Sequence, residues 1–243
     1  MPDAAPIHGA QIRTPPGHPA HLPELIRRYV ERAIPPGQPV PTRLRVEQIG
    51  DMWRAPGGKP MHFTATEDFA VHEVAFSWRA GFPIAPLLTL RIHDGFADGA
   101  GWMRGRLCGV PFMNRGGPDL AVGAAMRYLA ELPWAPHALL ANRRIKWRQI
   151  DDHTVEASTE TASGTAAVAL GFDEAGDIVR TYADSRPRDG DVPRPWGGIL
   201  GDYKAFDGVR LPTAGEVRWE LPEGPFTYWR GTVTALELIY REE

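Results

Sequence analysis

The chain has 243 residues, a formal net charge of −3 and a mean hydropathy of −0.30. That balance gives no global electrostatic case for nucleic acid or for an anionic membrane surface. The single cysteine, Cys108, excludes an internal disulfide framework and a cysteine-rich metal site, and no apolar run approaches the roughly 18 residues of a membrane span.

Residues 1–20 are rich in proline, alanine and histidine and hold no apolar signal core. They read as a flexible lead, and a cytoplasmic location is the expectation. Residues 21–243 read as one domain. Leu22, Leu25, Ile26, Tyr29, Val30 and Ala33 fall on one helical stripe, which Pro35-Pro36-Gly37 stops. From Arg43 the period changes to two. Strands are predicted over Arg43–Gly50, Met61–Ala70, Glu73–Gly81, Leu87–Ala97 and Gly101–Val110, the last carrying Cys108 as a buried thiol.

Pro118–Ala141 is helical by its leucine and alanine spacing and is broken into a corner by Pro133 and Pro136. Alternation then resumes over Ile145–Ile150, His153–Thr161, Thr165–Phe172 and Asp177–Arg186. A final meander follows, with Asp207-Gly208 as a type I′ hairpin turn between apolar-alternating runs. The signals add up to roughly ten strands and two helical segments in a mainly β (α+β), antiparallel protein.

Arg127-Tyr128-Leu129-Ala130-Glu131, Trp134-x-Pro136-x-Ala138-Leu139-Leu140, Pro195-Trp196-x-Gly198, Asp207-Gly208-Val209-x-Leu211-Pro212-Thr213 and Tyr228-Trp229-Arg230-Gly231 resemble a bacterial family of unknown function. That family is similar in fold to the periplasmic lipoprotein-localisation factors. The resemblance implies an open half-barrel: a single curved antiparallel sheet, helices plugging its concave side, and an apolar cavity between them. The chain departs from the family pattern at Ala124, His137 and Gly197, two of which stand where the family carries an acid.

Common catalytic signatures are absent: no nucleophile elbow, phosphate loop, metalloprotease motif or dinucleotide fingerprint. The eight histidines show no metal spacing, and neither a metal nor a cofactor is expected. Six tryptophans, including Trp102, Trp134, Trp196 and Trp229, lie in or beside strands or the helical corner. Core packing explains them plainly, and an aromatic-walled ligand cavity is the functional reading.

Arg127 and Glu131 stand at i and i+4, which allows a local ion pair. A desolvated Glu131 would serve as general base, with Tyr128 or His137 as proton donor and His93 as a further acid/base group. His93 and Asp94, adjacent in a strand, point to opposite faces. Arg104 and Arg106 share a strand face, as do Arg180, Asp184 and Arg186, and solvent-facing charge ladders account for both sets.

The expected function is binding of an apolar small molecule or acyl chain in a half-barrel cavity, with Arg127, Trp134, Trp102, Trp196 and Trp229 as ligand-binding residues. The rival is a cofactor-independent hydrolase, isomerase or cyclase using Glu131, Tyr128, His93 and His137 in the same cavity. No nucleic-acid partner and no membrane span are expected, and nothing in the sequence sets an oligomeric state.

Overall fold

The computed structural model describes residues 22–188 and 191–240. The expected lead, residues 1–20, lies outside them. The first helix, α1, is Glu24–Ala33. Six strands follow as a meander: β1 Arg43–Met52, β2 Met61–Ala70, β3 Phe76–Ala85, β4 Leu88–Ala97, β5 Ala100–Leu107 and β6 Val110–Arg115. Then come α2 (Pro118–Glu131), a 3-10 turn (Leu132–Trp134) and α3 (Pro136–Ala141). A second meander runs through β7 Lys146–Asp151, β8 Thr154–Thr161, β9 Gly164–Phe172, β10 Ile178–Arg188, β11 Asp191–Phe206, β12 Val209–Leu221 and β13 Gly224–Ile239.

One long-range pairing fuses the two meanders. β1 runs antiparallel to β13, from Arg43 opposite Ile239 to Met52 opposite Trp229. The result is one 13-stranded antiparallel sheet, ordered β6-β5-β4-β3-β2-β1-β13-β12-β11-β10-β9-β8-β7. Its edges are β6 and β7, and the helical insertion is the chain that joins them.

That sheet must be strongly curved. α2 touches β4 and β5 on one arm and β8, β9 and β10 on the other. From β4 to β10 is seven steps along the strand order, about 34 Å if flat at ~4.8 Å per step. A helix about 10–12 Å across reaches both only if the sheet wraps around it. The molecule is an open half-barrel with its helices on the concave side. No helix among the described residues is long and apolar enough to cross a membrane.

Small residues let the helix sit close. Ala121, Gly123, Ala124 and Ala125 of α2 are buried. A Cβ at Gly101 of β5 would lie 2.7 Å from the Leu120 carbonyl oxygen, so the helix backbone rests directly on that strand. At the other end of the insertion, Trp134 donates to the Pro212 carbonyl at 3.0 Å and its ring meets Trp229 at 5.7 Å. Phe63 closes on Trp229 and Trp78, at 5.9 and 5.8 Å. α1 docks through Tyr29, which packs edge-on against Phe172 and Tyr203, and through Arg32, which pairs with Asp177.

The structure differs from the sequence expectations at three points. Among the described residues there are thirteen strands rather than roughly ten, and the run through Cys108 is two of them: Cys108 (φ 48°) and Gly109 (φ 85°) form a tight turn of the same kind as Asp207 (φ 47°) and Gly208 (φ 84°). Cys108 is therefore exposed, not buried. Arg186 does not share the solvent face of Arg180 and Asp184, because a register shift between Ala183 and Arg186 turns its side chain inward.

Candidate functional site

α2 presents side chains in three directions, and two of them make chemically distinct places. Toward β2, β3 and β4 it sends Arg127 and Glu131. The Arg127 guanidinium donates to Glu131 Oε1 at 2.9 Å, to Asp94 Oδ2 at 2.9 Å and to Glu67 Oε1 at 2.8 Å. It also lies 4.9 Å from the Phe76 ring centroid and 5.1 Å from that of Trp78, so its planar face is covered by aromatics. Glu67 is fully buried and its second oxygen accepts from Gln48 Nε2 at 3.0 Å, while Gln48 Oε1 accepts from Trp78 Nε1 at 2.9 Å.

Three carboxyl groups thus surround one guanidinium. Burial pushes the Glu67 carboxyl well above the usual range and raises that of Glu131. The guanidinium opposes both shifts, since it favours the charged forms. Among the described residues, Glu131 Oε2 is buried without a hydrogen-bond partner. The constellation clamps α2 to three strands of one arm.

Toward the other arm α2 sends Val122 and Met126. The β9–β10 ladder stops at Ala169 opposite Tyr182. Beyond that point, among the described residues, 164–168 and 183–188 have no pairing with each other, and the strands part. The same register shift that turns Arg186 inward marks the split, and Pro187, with no N–H to leave unpaired, sits in the freed segment. A hollow of 330 Å³ fills the gap, with Val122 and Met126 as its floor and Ala167, Tyr182, Pro187 and Pro193 among its walls. Arg186 anchors the inner side, donating to the Gly123 carbonyl at 2.9 Å and stacking over Trp196 at 4.3 Å. Glu156 and Asp184 stand at the rim, the former paired with Arg148 at 2.8 Å.

The structure brings together Arg127 and Glu131 from the residues singled out in the sequence, and adds Glu67, Asp94 and Gln48. It sets the others apart. Tyr128 points to the sheet, donating to the Ala70 carbonyl at 2.8 Å and accepting from Asn142 Nδ2 at 2.9 Å. His137 of α3 is fully buried and its Nε2 faces Gln38 Oε1 at 3.1 Å. His93 and Trp102 lie on the outer face of the sheet, His93 beside Ser77 Oγ at 3.0 Å and edge-on to Trp102 at 5.9 Å. Trp134 and Trp229 are core, and Trp196 packs on Trp219 with its Nε1 3.1 Å from the Tyr228 hydroxyl.

Sequence comparison fits this architecture to a family. The profile of the family of unknown function DUF6544 matches residues 11–231. The chain belongs to that family. The DUF6544 match spans both meanders and the helical insertion between them. A comparison with curated proteins finds no match. Among solved structures, a LolA superfamily protein from Nitrosomonas europaea matches at 10% identity and a TM-score of 0.47, over 90% of this chain and 93% of its own. A DUF1329 family protein from Desulfovibrio piger matches at 10% identity and a TM-score of 0.48, over 88% of this chain and 90% of its own. The half-barrel itself rests on the strand order and helix contacts described above.

Proposed function

We propose that this protein is a binding module for an uncharged apolar small molecule or acyl chain, seated where β9 and β10 part over α2. The observation that carries the reading is the 330 Å³ hollow between the helix and the sheet, floored by Val122 and Met126. Its volume falls at the small end of the range for ligand pockets, about 300–1,000 Å³. Its floor, Val122 and Met126, is apolar, and the split ladder gives it an entrance through the sheet. Asp184 and Glu156 at the rim disfavour an anionic head group at that entrance.

Displacement of the neutral dye Nile red by a monoacylglycerol tests the reading. The full chain is expected to bind the dye and release it to the lipid. Val122→Trp, which fills the floor, and Ala167→Leu, which fills the opposite wall, are expected to weaken binding about tenfold or more, the scale of losing a few buried methylene contacts. Equal binding by the wild type and both filled variants would refute the site.

A further inference from the structure

On the outer face of the sheet a groove of 770 Å³ crosses β1 to β5. Its floor is two cross-strand rows read directly from the register. One row runs Thr66, Arg79, His93, Arg104. The next runs Thr64, Gly81, Arg91, Arg106. Residues directly opposite in an antiparallel pair have Cβ atoms about 4.5–5.5 Å apart, and like charges there destabilise. Arg91 faces Arg106 in this way, and Arg104 faces His93.

A solvent ladder would put acids between these bases, and the register shows none. Arg79 is held by Asp68 at 2.9 Å. Arg91, Arg104 and Arg106 have no ion-pair partner among the described residues, and Glu47 lies at the far β1 end of the first row. This corrects the charge-ladder reading of Arg104 and Arg106. Gly81 matters to the shape. It interrupts the second row between Thr64 and Arg91, and a Cβ there would meet only Thr89 Cγ2 at 3.8 Å and Thr64 Oγ1 at 4.0 Å, so the missing side chain leaves open floor. Past Thr64 the row reaches Ile49, which is 50% exposed.

We infer that this groove binds a phosphate-bearing ligand, with the phosphate bridging Arg91, Arg104 and Arg106 and the body lying over Gly81 toward Ile49. Planar guanidinium groups match phosphate oxygens in pairs, and a dianion between Arg91 and Arg106 removes their mutual repulsion. The neighbouring positive charges of Arg79 and Arg104 add to burial in holding the His93 imidazole below its ordinary pKa, in keeping with a positive potential at this end. The site is separate from the hollow over α2 and does not depend on it.

The phosphate can come from a soluble phosphomonoester or from a lipid head group, and two probes separate them: glycerol phosphate by calorimetric titration, and phosphatidylcholine vesicles with and without phosphatidic acid by flotation. Binding is expected in at least one arm, weakening as salt is raised. It should fall about tenfold or more in Arg91→Gln/Arg106→Gln, which loses two charge-assisted contacts, and also in Gly81→Val, which fills the floor and leaves every arginine in place. Without ligand, the double variant should melt at or above the wild-type temperature. No binding in either arm, or binding unchanged in both variants, or a double variant that melts lower than wild type, would overturn the inference.

Discussion

His137 shows how burial alone sets a titration. Its ring is fully enclosed, Nε2–H donates to Gln38 Oε1, and Nδ1 is buried with no partner among the described residues. Desolvation pushes its pKa from 6.5 down to about 4. The folded state therefore binds this proton more weakly than the unfolded chain. The associated stability is present above pH 6.5 and is lost as pH falls toward 4. Between pH 7 and pH 5 the wild type is expected to lose about 2 kcal/mol more than His137→Gln, measured by urea denaturation at both pH values. Parallel losses would show that the imidazole is solvated in the folded state. Glu67 and Gln48 were passed over in the sequence, although the alternation marks both as anomalies. Each continues an apolar alternation, Phe63-Ala65-Glu67-Phe69 and Leu44-Val46-Gln48, so each occupies a core position with a polar side chain. Asp94 was not legible. Alternation puts His93 and Asp94 on opposite faces and does not say which face is concave.

At the scale of elements, α2 is held less by its own helix propensity than by what it spans. Its Ala-rich side packs on β5, and its Arg127 ties Glu67 of β2 and Asp94 of β4 to Glu131 on the helix itself. Removing the guanidinium leaves carboxyl groups buried without their cation. Arg127→Met is therefore expected to cost about 3–5 kcal/mol in chemical denaturation, as when one partner of a buried ion pair is deleted. A loss under about 1 kcal/mol would mean that solvent reaches the cluster and compensates for the missing charge. The helix, its break at Pro133 and Pro136, and the Asp207-Gly208 hairpin followed from spacing and turn chemistry. β6 did not, because Val110 to Arg115 is almost wholly exposed and shows no alternation. The Cys108-Gly109 turn lacks the Asp or Asn that signals the Asp207 turn. The bulge near Ala183 was equally silent, since a register shift is set by the neighbouring strand rather than by the local pattern.

For the molecule as a whole, the decisive contact is β1 with β13, which joins the two ends of the described chain and makes two meanders one sheet. No local pattern encodes a pairing between residues so distant in sequence. The half-barrel shape came instead from the family resemblance, and the strand order now shows why it holds: the helix that links the two sheet edges must lie inside the curve. The same geometry produces the two unlike surfaces, a hollow where β9 and β10 part over the apolar side chains of Val122 and Met126 and a basic groove outside. Hydrogen exchange of the full chain with and without a monoacylglycerol shows whether the hollow over α2 takes an acyl chain. Slowed exchange is expected in Val122–Met126, Thr165–Ala169 and Tyr182–Pro187 alone, the segments around the hollow. Unchanged exchange in those segments, or protection appearing elsewhere on the sheet instead, would contradict binding there.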